Sequence, residues 1–284
     1  MKTWIGRLAP LAFLVLAMSA CQDGIITGDA AVDEEAIRAE AALVAADAMF
    51  RDLSLAGDPG LQGFGFGGAG HGGWASAWGQ TMPGGPGGPC HSKGPGKGFE
   101  CPDLVREGFT HSREVTFFDG DGNVQDAYDP LETASIELHL ATEGSVEKTF
   151  WTATVERERT LVITGLEGEE TAHTVNGTAS GRTYRSRNPL EGTERSRDMT
   201  TTAEISDVVH AVPRQDNPYP LSGSITRHIQ VVVMEDGEVV ATREVTTVVT
   251  FDGTRYATLM VDGETYTIDL EKRGVKGRFG RKGG

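Results

Sequence analysis

The stretch 224–270, SITRHIQVVVMEDGEVVATREVTTVVTFDGTRYATLMVDGETYTIDL, decides the fold class. It contains four runs rich in β-branched residues, separated by Asp236-Gly237, Asp252-Gly253 and Asp262-Gly263. Asp-Gly between such runs is a strong signal for a tight β-hairpin turn. The stretch therefore predicts four antiparallel strands in up-and-down order.

The same kind of pattern extends upstream to about residue 112. Residues 133–142 alternate, with Ile136, Leu138 and Leu140 on one face. Glu143-Gly144 and Asn176-Gly177 read as turns, and 185–197, which contains Asn188-Pro189, reads as a polar loop. We expect a mainly β domain over 112–271. It is an antiparallel up-and-down sheet that curls because it has so many strands, and a half-barrel is one form of such a sheet.

The segment 57–111 differs sharply in composition, with repeated glycine and proline. It predicts a disordered tether because it has few residues that could bury apolar surface. Gly63, Gly65 and Gly68 fit a dinucleotide-binding spacing, but no strand precedes them and no helix follows. Gly96-Lys97 is not a phosphate loop, since Gly98 replaces the Ser or Thr that binds magnesium. We therefore expect no cofactor.

Cys90 and Cys101 lie at the end of this tether. An even pair of cysteines favours a disulfide if the chain lies in an oxidising compartment. A metal site that also uses His91 and His111 is the alternative, although the spacing matches no zinc pattern.

The segment 21–56 is expected to hold a short leader and one amphipathic helix, from about residue 29 to 55. Its narrow apolar stripe comprises Ala36, Ala39, Leu43, Ala46, Phe50 and Leu53. A helix that lies on a membrane surface would carry Lys and Arg on its polar face, whereas this one is acidic. We expect the stripe to dock on the protein's own sheet, a coiled coil or membrane-surface helix being the alternative.

Charge excludes one class of partner. The chain has a formal net charge of −15, which would repel the phosphates of nucleic acid. Only the tail, 272–284, is basic, and it reads as a disordered end that is either solvated or in contact with anionic lipid or polymer.

The first twenty-one residues combine Lys2 and Arg7, an apolar run over 11–18, and Ser19-Ala20-Cys21. This resembles the signal peptide of bacterial lipoproteins, with Met18 at the position where that family usually has Leu. The resemblance implies removal of residues 1–20, lipidation of Cys21 and anchoring to a membrane. Gln22 after the cysteine implies, by the same resemblance, sorting to the outer membrane. An ordinary signal peptide with a chance cysteine is the alternative.

Asp119, Asp121 and Asn123 have the first three ligand spacings of a calcium loop. Val124 and Pro130 replace its glycine and its bidentate Glu, which leaves a weak calcium candidate. No nucleophile elbow or zinc-protease motif is present, so an enzyme is not expected.

We predict a non-enzymatic binding or scaffold protein of the cell envelope, whose partner is an envelope protein, a polymer or a lipid. The alternative is a half-barrel that binds lipid or another small hydrophobe, by architectural analogy to periplasmic lipoprotein carriers. A hydrolase is a remote third possibility. The oligomeric state is left open.

Overall fold

The structure is a computed structural model, and it describes residues 42, 44–46, 48–50, 90–106, 108–129, 131–168, 170–187, 193–212, 217–272 and 274–276. All of them belong to one compact unit that spans Asp33–Gly284. The described residues between 42 and 50 are helical and are here called α1. The strands are β1 (His91–Ser92), β2 (Phe99–Arg106), β3 (Phe109–Asp119), β4 (Val124–Gln125), β5 (Thr133–Lys148), β6 (Trp151–Thr164), β7 (Ala172–Arg187), β8 (Arg195–Ala211), β9 (Ser222–Glu235), β10 (Glu238–Thr250), β11 (Tyr256–Val261), β12 (Glu264–Asp269) and β13 (Gly274–Lys276).

The strands form one antiparallel sheet in nearly sequential order. The path runs β1-β2-β3-β5-β6-β7-β8-β9-β10-β11-β12-β13, and β4 pairs only with β3. The sheet does not close on itself, because β1 and β13 stand at opposite ends of this path. The predicted fold class, a mainly β up-and-down sheet with an N-terminal helix, is confirmed.

Two of the three Asp-Gly pairs adopt the predicted turn. Asp236 and Gly237 join β9 to β10, Asp262 and Gly263 join β11 to β12, and all four residues have positive φ. Positive φ at both central residues defines the type I′ turn, whose twist matches that of the flanking strands. Asp252 instead accepts hydrogen bonds from the backbone N–H and the hydroxyl of Thr254, at 3.1 and 2.7 Å.

Two predicted turns are wrong, because both glycines lie inside strands. Strand β5 continues through Gly144, and β7 continues through Asn176 and Gly177. A Cβ at Gly177 would lie 2.2 Å from the carbonyl oxygen of Thr160 on β6, and one at Gly144 would lie 2.3 Å from that of Gly108. Glycine is required at these positions by the close approach of a neighbouring strand, not by a reversal of the chain.

The predicted boundaries of the β domain also need correction. Residues 91–92, 99–106 and 109–111, which were expected in the linker, form β1, β2 and the start of β3. The expected loop over 185–197 is shorter, since β7 extends to Arg187 and β8 begins at Arg195. At the other end, 274–276 pair with β12 rather than belonging to a disordered tail. The residues 57–89 and 277–284 lie outside the described part of the chain.

The core lies on one face of the sheet, here called the core face. A single cluster of buried side chains runs from Phe99 on β2 to Ile268 on β12, and Ala42, Ala46 and Met49 of α1 belong to it. The described part of the helix thus docks on the sheet as expected, and of the predicted stripe Ala46 is buried and Phe50 packs against the cluster. Ala42, Ala45 and Met49 are buried, whereas Phe50 is only half-buried.

The buried positions occupy only part of the longest strands. In β6 the buried residues are Leu161 and Ile163, and residues 151–160 are intermediate or exposed. Strands β5–β10 therefore continue past the core to the turns that join β5 to β6 and β9 to β10. This end of the sheet, where β7 also finishes and β8 begins, is called the hairpin end. It carries the candidate site.

Candidate anion-binding surface

Four arginines face one another in two directly opposed pairs on β7 and β8. Arg185 is the cross-strand partner of Arg197, and Arg187 is the partner of Arg195. Alternate residues of a strand share a face, and directly opposite residues share it too. All four side chains therefore leave the same face of the sheet, which is the core face continued beyond the core.

This arrangement is unfavourable for folding by itself. Directly opposite side chains have Cβ atoms only about 4.5–5.5 Å apart, and like charges at such positions destabilise a sheet. The chain as a whole is strongly acidic, with 41 Asp and Glu residues against 26 Lys and Arg, yet four arginines meet at this point. Four guanidinium groups gathered on one face form a surface that can bind a ligand of opposite charge.

Two of the arginines have contacts that set their positions. The guanidinium carbon of Arg185 lies 4.9 Å from the ring centroid of Trp151, in cation–π geometry. Arg195 forms an ion pair of 2.9 Å with Glu235, and its side chain remains 55% exposed. Arg187 and Arg197 make further contacts within the chain, and both residues are exposed.

The cationic row extends across β6 to β5. Trp151 is the partner of Arg187 on one side and of Lys148 on the other, so Lys148, Trp151, Arg187 and Arg195 lie in one line across four strands. We call Lys148, Trp151, Arg185, Arg187, Arg195 and Arg197 together the arginine patch.

The described acidic residues at this end of strands β5–β8 lie on the opposite face of the sheet. Along β5–β8, the described residues on the core face beyond the core include no Asp or Glu. Glu147 and Asp198 belong to the opposite face, where Asp198 accepts hydrogen bonds from Arg182 at 2.9 and 3.1 Å. The row becomes acidic only at Glu235 and Glu238 on the next two strands. The surface thus spans four strands, three of which contribute cations, and it has an acidic border.

The chemistry of these groups is that of anion binding. A guanidinium stays protonated at all physiological pH values and presents a planar fork of donors, which matches the oxygens of phosphate and carboxylate. Trp151 holds the plane of one guanidinium and offers an apolar surface beside it. None of these groups is a nucleophile or a general base at neutral pH.

The lipidation site that the sequence predicts, Cys21, lies outside the described residues. Cys90 and Cys101 are joined by a disulfide. This bond ties the residue before β1 to the second strand, and it removes both thiolates from the alternative metal site. His111 is instead hydrogen-bonded through Nδ1 to the Thr142 hydroxyl at 3.0 Å. Burial and, secondarily, the charge of Arg113 lower the pKa of His111.

The weak calcium candidate is the turn between β3 and β4. The Asp119 carboxylate accepts hydrogen bonds from the backbone N–H groups of Asp121 and Asn123, at 3.0 and 2.7 Å, and from the Asn123 side chain. The Asn123 amide and these N–H groups lower the pKa of Asp119. Asp119 therefore closes its own turn. Within the described ranges, no group of three or more His, Cys, Asp or Glu side chains could hold a metal ion.

Sequence reasoning missed the arginine patch because it assigned 185–197 to a loop. Asn188-Pro189 is a strong turn signal, and the residues on either side were assigned to the same loop. The period-2 spacing of Arg185 with Arg187, and of Arg195 with Arg197, is nevertheless a strand pattern with one charged face.

Comparison with known proteins identifies no relative of this chain. No family model, no curated protein and no solved structure matches this chain. No helix among the described residues is long and apolar enough to cross a bilayer.

Proposed function

We propose that this protein is an exported lipoprotein of the cell envelope that binds an anionic envelope component without catalysis. The observation that carries the proposal is the pair of opposed arginine pairs, Arg185 with Arg197 and Arg187 with Arg195. Phosphate or carboxylate oxygens that lie between them would accept charge-assisted hydrogen bonds from several guanidinium groups at once.

The sequence of the first twenty-one residues supports the anchor. Cleavage before Cys21 and attachment of lipid to its sulfur would hold the protein on a membrane, and Gln22 favours the outer membrane of a Gram-negative cell. The disulfide between Cys90 and Cys101 fits this setting, because such bonds persist in oxidising compartments.

A second function is favoured by the apolar residues on the same face. Val155, Met199 and Val231 are half-buried between the core and the patch. An acyl chain along this row, with its charged head at the arginines, would make the protein a carrier of an anionic lipid. We place it second because the chain is poor in Phe and Trp, which usually line lipid grooves.

The test of anion binding uses the mature chain with Cys21→Ser, so that no lipid interferes. Isothermal titration calorimetry with inositol hexakisphosphate, a soluble polyanion, measures affinity at low and at physiological salt. The double variant Arg187→Gln/Arg197→Gln should bind at least about tenfold more weakly, since each arginine contributes a charge-assisted contact.

Arg182→Gln is the matched control, since Arg182 lies on the same strand but on the opposite face. It should keep the affinity of the unsubstituted chain. Arg187→Lys/Arg197→Lys should recover part of the affinity, because lysine keeps the charge but not the planar fork. Circular dichroism checks that both proteins are folded. Equal affinity of the Gln double variant and the unsubstituted chain would then show that the patch is not the anion-binding site.

The test of the anchor is separate. Cys21→Ser should leave the protein uncleaved by the lipoprotein peptidase and without attached lipid, as read by intact-protein mass spectrometry. A mature N-terminus other than Cys21 in the unsubstituted protein would contradict the lipoprotein assignment.

A further inference from the structure

The turn between β5 and β6 places an exposed aromatic side chain next to the arginine patch. Phe150 is 49% exposed, and it lies between Lys148 and Trp151 in the chain. Lys148 and Trp151 are cross-strand partners, so the turn they close is tight and holds Phe150 at the rim of the hairpin end. A single exposed apolar residue is ordinary on a protein surface, and what distinguishes Phe150 is its position beside Trp151 and the cations of the arginine patch.

We infer that the hairpin end docks on an anionic bilayer surface, with Phe150 in the interfacial layer and the arginine patch on the lipid phosphates. This inference rests on the proposed function and names the ligand as the headgroups of a membrane.

A bilayer accounts for both the cationic and the aromatic side chains of this surface, whereas a soluble polyanion accounts only for the cationic ones. Arginines bind phosphate oxygens while their aliphatic stems lie along apolar surface. Trp and Phe settle at the boundary between headgroups and acyl chains. Arg185 stacked on Trp151 brings the two kinds of group together at one point of the surface.

The acidic border fixes the orientation of the docked sheet. Glu235, Asp236 and Glu238 stand at the turn between β9 and β10, at the same end of the sheet. That turn lies three strands from β6, which is roughly 15 Å at the usual strand spacing. Anionic headgroups repel these carboxylates, so the hairpin of β5 and β6 enters most deeply and the hairpin of β9 and β10 stays in water.

The β9–β10 hairpin also supplies a matched control. Val239 and Val240 are 62% and 52% exposed, at the same end of the sheet, but they neighbour Glu238 rather than the cations. An apolar contact with any surface would involve both hairpins equally. Docking through the arginine patch involves Phe150 alone.

The experiment measures co-sedimentation of the mature Cys21→Ser chain with lipid vesicles. We expect strong binding to phosphatidylcholine vesicles with about 30% phosphatidylglycerol, weak binding to pure phosphatidylcholine, and loss of binding in high salt. Arg187→Gln/Arg197→Gln should weaken the partition coefficient by roughly 25-fold, at about fivefold for each arginine. Phe150→Ser should weaken it about fivefold, and Val239→Ser/Val240→Ser should leave it unchanged.

The outcomes separate this inference from the proposed function. Retained binding of inositol hexakisphosphate without binding to the anionic vesicles would overturn the docking inference and leave the proposed function standing. Loss of binding to inositol hexakisphosphate as well as to the vesicles would contradict both the docking inference and the proposed function. Vesicle binding that does not respond to Phe150→Ser, or that responds equally to Val239→Ser/Val240→Ser, would also overturn it.

Discussion

The guanidinium of Arg255 holds the carboxylate of Asp269 through two parallel hydrogen bonds, from Nε to Oδ1 and from Nη2 to Oδ2, each 2.7 Å long. Asp269 is only 1% exposed and ends β12, whereas Arg255 stands just before β11. The pair therefore joins the two ends of the last hairpin. Asp269 strongly raises the pKa of Arg255, chiefly through these hydrogen bonds.

Asp269→Asn should destabilise the protein by roughly 2–4 kcal/mol, because it removes the charge of a buried carboxylate and disrupts its bidentate pair with Arg255. Urea unfolding measures the change in the free energy of unfolding. Glu271→Gln is the control, since Glu271 contacts the same guanidinium from an exposed position and should cost less than about 1 kcal/mol. Equal losses for the two variants would contradict a special role for Asp269.

Gly177→Ala should cost roughly 1–3 kcal/mol, because the new methyl group would meet the Thr160 carbonyl at 2.2 Å and force β6 and β7 apart. Thermal unfolding checks the prediction. Gly181→Ala, on the same strand, would find its nearest neighbour at 3.2 Å and should cost clearly less. If Gly177→Ala were tolerated as well as Gly181→Ala, then the close approach of β6 and β7 at this point would be wrong.

The stability of the β3–β4 turn should depend on pH. The pKa of Asp119 is lower in the folded protein than in the unfolded chain, so its contribution is present above the ordinary Asp value of 3.8 and is lost as the pH falls through the folded value. The stability difference between the natural protein and Asp119→Asn should therefore shrink in acid. Denaturant unfolding at neutral pH and near pH ~3 measures it. A difference that stays constant or grows in acid would have the wrong sign.

Replacement of both Cys90 and Cys101 by serine should cost about 3 kcal/mol, the loop-closure value for a separation of 11 residues. Hydrogen exchange should show the earliest loss of protection over β1 and β2, which form one edge of the sheet. A chelator should leave the stability of the unsubstituted protein unchanged. Destabilisation by the chelator would instead favour the metal site.

Much of the architecture was predictable because hairpin turns leave a local signature. Asp236-Gly237 and Asp262-Gly263 occupy conformations that few other dipeptides adopt, so their identity alone marks the reversal. Asn176-Gly177 has the same signature but a different cause. Its glycine makes room for β6, and its asparagine accepts a hydrogen bond of 2.8 Å from the backbone N–H of Asp207 on β8. Only the neighbouring strands distinguish the two cases.

The candidate site was less predictable than the fold. A row such as Lys148, Trp151, Arg187 and Arg195 exists only once the register of β5–β8 is known. These residues are separated in the chain by three reversals, and a shift of one residue in any pairing would scatter them over both faces. Pattern reasoning could place the strands, but the charge of the surface depends on how they align.

The sequential order of the strands has a consequence for biogenesis. From β6 to β13, each strand pairs with the strand that immediately precedes it, so no strand must wait for a distant part of the chain. Short-range closure is fast, because little chain entropy is lost in each step. If the chain is exported as proposed and crosses the membrane unfolded, N-terminus first, it can add one hairpin after another as it emerges. Its unpaired growing edge is covered by the next strand to arrive, which limits the time during which it could pair with another molecule.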